Sequence, residues 1–402
     1  MMSRIAYYLV VLFLFVACTD FDDNSKLEIQ NYKTITVESI NTELKVIDLV
    51  VNQEEFDEMY ENYEEGIEIE GFFKLYKNNE LLIENELVEI EIKGSVSAAF
   101  SLKSLGIKFD DTYENKENNY NLIQPELLSN HSVDKVKSIR LRNSGNDFLE
   151  TMVKDMSYTK LAINANLDLD LMYAEQVVVF VNNTFFGLMN LRTEKNANGV
   201  SRLYSVKKSN ITLAKINHPG ELEYKDGNED KINAFIDAIN NENYDYLINE
   251  IDEDNYIDYM IYESYIANHD WPKNNVAFFA IDDGPFRFIM YDLDGSSTRY
   301  INESPFFFIN NEIENPITNL FNVLYENPDF KSKYDTRWNF LMNSGTLNYN
   351  KFEDVVNDYK NNIEQIIPMQ IEKYGSPENI TSWYLNLDEL KFNFKKREEF
   401  AK

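Results

Sequence analysis

The chain has 402 residues, with 69 acidic against 38 basic side chains and a net charge of −31; it is 44% hydrophobic and 14% aromatic. That length holds one large or two medium domains with a sizeable core, and the apolar fraction is too high for a disordered chain. The acidic excess argues against nucleic acid and anionic membrane surfaces as partners, since both are bound through clustered Lys and Arg, and an anionic nucleotide would need a local cationic pocket.

Arg4 precedes the apolar run Ile5–Ala17, which ends at Cys18, the single cysteine of the sequence. The run is too short for a bilayer span and has the form of a signal-peptide core over residues 1–17. Leu14-Phe15-Val16-Ala17-Cys18 resembles a bacterial lipobox, with Phe15 where Leu is commoner. The resemblance implies that Cys18 is diacylated and becomes the mature N-terminus; the alternative is an ordinary secreted signal with an incidental Cys. The acidic stretch Thr19–Asn24, within a tether over residues 18–27, looks like the surface-export signals of Bacteroidetes lipoproteins. The expectation is an outer-membrane lipoprotein, periplasmic or surface-exposed, that touches the membrane only through the lipid on Cys18. With no second cysteine, no disulfide holds the mature fold.

Residues 28–87 read as a strand-rich region: Thr34–Val37 alternates, and Glu68–Tyr76 and Leu81–Ile83 flank the turn Asn78-Asn79. Glu54–Tyr63 reads as a short acidic helix with a solvated face. Val88–Ile92 is a strand, Lys93-Gly94-Ser95 a small-residue turn, and Phe100–Phe109 a strand carrying Lys103 and Lys108. Such a hairpin suits covering phosphates with backbone N–H groups and cations; the alternative is an exposed hairpin with lysines for solubility. Asp110–Asn121 reads as a polar loop. In the strand Val136–Arg142, Arg140 and Arg142 are two apart and share a face. The turn Asn143–Asp147 leads to a helix over Thr151–Leu161 with Met152, Met156 and Leu161 inward. Tyr173–Phe180 and Gly187–Leu191 form a hairpin about Asn182-Asn183, closed by Arg192-Thr193-Glu194-Lys195. Val200–Gly220 shows little pattern, and Asp230–Ile239 and Tyr244–Ile251 read as helices.

From Asn255 to Asn268, Tyr256, Ile257, Met260, Ile261 and Tyr265 recur at helical spacing and deliver the loop His269-Asp270-Trp271-Pro272-Lys273-Asn274-Asn275. Pro272 ends any helix. Val276–Ile281 and Phe286–Tyr291, joined by Asp282-Asp283-Gly284-Pro285, form a hairpin. Asp270 and Asn275 enter it; Asp292 and Asp294 leave it. The two ends of a hairpin lie together, so oxygen donors converge in a set that suits a hard divalent cation such as Mg²⁺. Protein kinases keep the same interval between a catalytic Asp and a metal-binding Asn, and follow it with a hairpin and a metal-binding Asp. The alternative is a solvated loop followed by an acidic turn. Glu303–Asn315 reads as a loop and Ile317–Lys402 as mainly helical. Strands early and helices late predict an α+β fold with a strand-rich N-terminal half and a helical C-terminal half. The histidines His131, His218 and His269 form no HExxH, and no GxSxG is present, so the common hydrolase signatures are lacking.

The ordered pieces Lys93-Gly94-Ser95, Lys103-Ser104, Ile107-Lys108-Phe109, Leu141–Asp147, Lys154-Asp155, Val181–Gly187, Arg192–Lys195, Asp270–Asn275 and Asp292-Leu293-Asp294 together resemble the CotH family of atypical kinases, over a domain of residues 88–402. The resemblance implies a two-lobed kinase-like fold that binds ATP and Mg²⁺ (or Mn²⁺) and moves the γ-phosphoryl to a protein Ser or Thr hydroxyl. By residue, it implies Asp270 as the catalytic Asp, and Asn275, Asp292 and Asp294 at the metal. Lys93, Ser95, Lys103, Arg142 and Glu194 are implied nucleotide or phosphate contacts. Lys154 stands where the family usually has Arg, and lacks its bidentate fork. The reading from another class is a non-catalytic kinase-fold lipoprotein serving as a binding, adhesion or glycan-associated module.

Overall fold

Two Asn-Asn pairs organise the first half of the chain. The computed structural model describes residues 31–114, 122, 133, 135–311 and 315–401; Cys18, its leader, the acidic tether and most of the loop expected before Asn121 lie outside them. The first half runs β1 (Lys45–Val51), α1 (Gln53–Glu61), β2 (Glu68–Lys77), β3 (Glu80–Lys93), β4 (Ser104–Glu114), β5 (Lys135–Arg142), α2 (Lys154–Asn164), β6 (Asp170–Leu171), β7 (Ala174–Val181) and β8 (Thr184–Arg192). Asn78 and Asn79 turn β2 into β3 with φ of 52° and 61°, and Asn182 and Asn183 turn β7 into β8 with φ of 50° and 60°. Asn tolerates the left-handed region that such two-residue turns require, and their twist matches that of the strands. Seven strands close a barrel in the order β1-β2-β3-β4-β5-β8-β7. β1 closes it, antiparallel to β2 and parallel to β7.

The alternation of β2 puts Ile69, Phe73 and Leu75 inside. β1 shows no such period because nearly all of it is buried, and for that reason it was not expected. Thr34–Val37, expected as a strand, forms turns instead, and its Val37 N–H donates to Asn183 Oδ1 at 2.8 Å. The strand expected from Phe100 starts only at Ser104, behind a short 3-10 turn over Val96–Ala99. A division at 87/88 runs through β3, and the strands on either side of it close one barrel.

The second half comprises α3 (Ala197–Leu203), β9 (Ile211–Asn217), β10 (Glu221–Asp226), α4 (Glu229–Asn240), α5 (Tyr244–Glu250), α6 (Glu253–Ile266), β11 (Val276–Ile281), β12 (Arg287–Met290), α7 (Phe307–Asn311), α8 (Pro316–Tyr325), α9 (Pro328–Asn343), α10 (Tyr349–Ile363), α11 (Ile367–Tyr374) and α12 (Ile380–Ala401). A second sheet has the order β10-β9-β11-β12-β6. β9 and the greater part of α3 fall in the stretch Val200–Gly220 that shows little pattern, β10 begins just after it, and α7 interrupts the expected loop over Glu303–Asn315. The α+β class and its early-strand, late-helix order agree with the sequence expectation.

α6 lies at the centre and is buried on every face rather than one. Its Tyr256, Tyr259, Tyr262 and Tyr265 are wholly buried, so each hydroxyl must find a partner. Three donate to the backbone carbonyls of Ile317, Tyr158 and Leu347, and Tyr259 accepts from Trp271 Nε1 at 3.1 Å. The buried Arg397 of α12 donates to the carbonyls of Ser264 and Tyr265 at 2.6 and 2.7 Å. It thereby satisfies the last turn of α6, whose carbonyls lack helical partners. α6 is thus a fixed base for the loop that follows it.

Candidate active site

α6 ends at Ala267 in the left-handed region (φ 50°), and the chain turns into His269–Asn275. Trp271, 1% exposed, anchors this loop in the core, and Asn315 Nδ2 donates to the Pro272 carbonyl at 3.0 Å. The loop is also tied to the segment after β12: His269 Nδ1 lies 2.7 Å from the Gly295 carbonyl, and Ser297 N donates to the Ile266 carbonyl at 2.8 Å. Between them β11 and β12 pair with Phe278 opposite Phe288. Asn275 and Asp292 flank this hairpin, both left-handed at φ of 60° and 62°. Asn and Asp adopt that conformation more readily than other side-chain-bearing residues, and here it turns both side chains toward one space.

That space is a cavity of about 860 Å³ lined by Asp270, Asn275, Asp292, Asp294, Arg140 and Arg142, among others. Lys195 and the turn Gly94–Ser97 complete two of its walls. Arg142 Nη2 is hydrogen-bonded to Asp292 Oδ1 and lies 2.9 Å from Asp294 Oδ2. Asn146 N–H also donates to Asp294 Oδ2, at 3.1 Å. The approach is so close that a Cβ on Gly145 would sit 2.3 Å from both Arg142 Nη2 and Asp294 Oδ2, so only glycine fits there. Behind the cavity, Asp155 Oδ2 lies 2.9 Å from Arg192 Nη1 and 3.5 Å from Arg142 Nη1.

Burial opposes the charge on Arg142, but the carboxylates of Asp292, Asp155 and Asp294 outweigh it and hold the guanidinium above its ordinary pKa. Burial likewise opposes charge on Asp292, yet Arg142 and Lys195 keep its pKa low. Asp294 is pushed up, first by burial and then by the Asp292 charge beside it. Two carboxylates sharing one site separate in this way. Lys195 faces the cavity with its ammonium 3.3 Å from the Tyr291 ring centroid. Burial first, then Lys215, Arg140 and Arg142, lower its pKa against the pull of Asp292.

The expected residues divide clearly. Asp270, Asn275, Asp292, Asp294, Arg142 and Ser95 line one cavity, whereas Lys93, Lys103 and Glu194 are not among its described lining residues. Lys93 pairs with Glu91 on the barrel wall. Lys103 is buried under the 3-10 turn, where its ammonium donates to the carbonyls of Ala98 and Phe100 at 2.5 and 3.3 Å; it braces the turn. Glu194 lies 3.3 Å from Arg140 Nη2 and orients that cation. Lys108 pairs with Glu89. The sequence signal missed Lys195, which follows a strand end with no periodicity to mark it, and Asn146, whose contribution is a backbone N–H.

Among the described residues no cluster of three or more His, Cys, Asp or Glu stands ready for a metal. Asp292 and Asp294 do converge on one cationic nitrogen, and Asn275 lines the same cavity; carboxylate and amide oxygens are donors of the kind that suits Mg²⁺ or Mn²⁺ completed by phosphate and water. A family model described as "CotH kinase protein" matches residues 90–401. No curated protein matches the chain. The matched span includes every cavity residue named above, and the chain belongs to the CotH kinase family.

Proposed function

We propose that this protein transfers the γ-phosphoryl group of ATP to a Ser or Thr hydroxyl of a protein substrate, as a lipoprotein of the bacterial envelope. One observation carries the reading: three carboxylates, an amide and a cationic wall, delivered by separate parts of the chain, face one cavity. Gly94–Ser97, Arg140 and Arg142 come from the barrel side and Asp270, Asn275 and Asp292 from the β11–β12 side, an arrangement in keeping with a two-lobed kinase-like fold. Phosphoryl transfer needs alignment and charge neutralisation more than covalent chemistry. Arg140, Arg142 and Lys195 supply cations for the phosphates, and the turn that includes Ser95 supplies backbone N–H groups. Asn275, Asp292 and Asp294 would hold Mg²⁺ or Mn²⁺, which when bound neutralises phosphate charge. Asp270 orients the acceptor hydroxyl and takes its proton as that oxygen bonds to the γ-phosphorus and the bond to ADP breaks.

A second reading, a non-catalytic binding module, is favoured by one contact. Arg142 already pairs with both Asp292 and Asp294 from within. The two readings part in a thermal-shift measurement. Kinase function predicts that ATP with Mg²⁺ raises the melting temperature by a few degrees, in line with ~2.7 kcal/mol at a ligand concentration of 100 Kd, and more than ATP with chelator does. No shift with either Mg²⁺ or Mn²⁺ favours the binding module.

The lipid anchor rests on Cys18 at the end of its apolar run. Cys18→Ser is expected to stall processing or release the protein to the soluble fraction, read by membrane fractionation. A variant still processed and membrane-bound would contradict acylation at this residue.

A further inference from the structure

Beneath the Asp270 loop lies a carboxyl group that the proposed chemistry does not use. Glu263, on the last turn of α6, is 0% exposed, and neither of its carboxylate oxygens completes a hydrogen bond. A buried ionisable group without a partner is expensive to keep and calls for a physical reason. Its neighbour is Asn268, also 0% exposed. The Asn268 amide favours the charged form of Glu263, although Nδ2 likewise completes no well-formed hydrogen bond.

Asn268 connects the two loops of the cavity. Its N–H donates to the Glu263 carbonyl at 3.4 Å, and its Oδ1 accepts from the backbone N–H of Asp270 at 3.4 Å. On its other side it abuts Gly295, where a Cβ would come within 2.9 Å of Oδ1. Anything that turns the Asn268 amide therefore moves the backbone that aims Asp270.

We propose that Glu263 is a positioning residue that acts through Asn268 to fix the Asp270 loop. The inference deepens the kinase reading and rests on it for its catalytic consequence. The Asn268 Oδ1 already accepts from Asp270, so what the amide offers Glu263 is its Nδ2 donor, from which either form of the carboxyl can accept. Burial holds the group in its neutral form and pushes its pKa up to about 8, with the nearby Asp270 charge adding to the rise. The other titratable groups facing it are Tyr259 and Tyr262 on α6 and Tyr291 after β12, all kept neutral by burial.

A folded pKa above the unfolded one means stability present at low pH and lost as pH rises through the folded value. For Glu263 the window runs from its ordinary 4.5 to about 8. Asp294 contributes a fall of the same sign, so the readout is the difference between wild type and Glu263→Gln. In the full mature chain, Glu263→Gln should melt higher than wild type at pH 9, with the gap closing by pH 5. Hydrogen exchange at the Asp270 amide should stay slow in Glu263→Gln and quicken in Glu263→Leu. In transfer assays Glu263→Leu should lower kcat with little change in KM for ATP, while Glu263→Gln retains turnover. The proposal is overturned if the Gln and Leu variants exchange alike, or if the melting gap fails to open with pH. If wild type transfers no phosphate, the kinase reading fails, and exchange and melting still decide the role of Glu263.

Discussion

Asp270→Ala is expected to lower phosphate transfer by about 10²–10⁴-fold, the usual contribution of a positioned acid or base, while nucleotide still binds with Mg²⁺. Asp292→Ala is expected to weaken the Mg²⁺-dependent binding itself. The difference follows from what each carboxylate touches. Asp270 is half-buried, with His269 Nε2 3.4 Å from its Oδ1. Its exposed side can meet an acceptor hydroxyl. Asp292 is engaged by Arg142 and held at low pKa against burial, so it is an anion ready to exchange one cation for another. Its removal also deprives Arg142 of a partner and leaves Asp294 as the remaining carboxylate on Nη2. Thermal shift with ATP and Mg²⁺ beside single-turnover transfer separates the two properties; a common loss of both in Asp270→Ala would contradict the division of roles.

The largest expected loss of stability is at Asp155, behind the cavity. Its side chain is almost wholly buried between Arg192, itself 1% exposed, and Arg142. Neither Asp155 oxygen makes a well-aligned hydrogen bond, and Arg192 Nε and Nη2 also lack partners, so charge pairing is what compensates these groups. Burial already lowers the Arg192 pKa, with Asp155 the chief opposing charge. Asp155→Ala leaves a buried guanidinium uncompensated, for which a cost of about 3–5 kcal/mol is typical. The urea midpoint should fall accordingly, and nucleotide binding should fall with it because Arg142 loses one of its restraints. A variant within about 1 kcal/mol of wild type, the usual range of an exposed pair, would show that the buried cluster is hydrated.

Much of this architecture is legible in the residues because the signals are local. The Asn-Asn turns, the alternation of β2, and the β11–β12 hairpin with its acidic turn are each set by a few adjacent side chains. Legibility fails where burial is set by distant elements. β1 is buried on both faces, its charged Lys45 and Asp48 included, which removes the period that would announce it. β9 is a buried central strand of the second sheet and gives the same weak signal. At the site, acidic side chains flanking a hairpin could be placed together in advance, since hairpin ends meet whatever the remainder of the fold does. The cationic wall could not, because Arg142 and Asp292 are 150 positions apart. The same limit explains Lys103: its spacing resembles that of a phosphate contact, yet three-dimensional packing turns it under its own loop.

The central claim is that the cavity transfers phosphate, and incubation of the mature chain with γ-labelled ATP and Mg²⁺ or Mn²⁺ tests it most directly. Acidic casein-like proteins and the chain itself serve as acceptors. The account predicts metal-dependent label on Ser or Thr hydroxyls, abolished by chelator and by Asp270→Ala. Absence of label on every acceptor with either metal, in a chain whose melting temperature also ignores ATP, would contradict it.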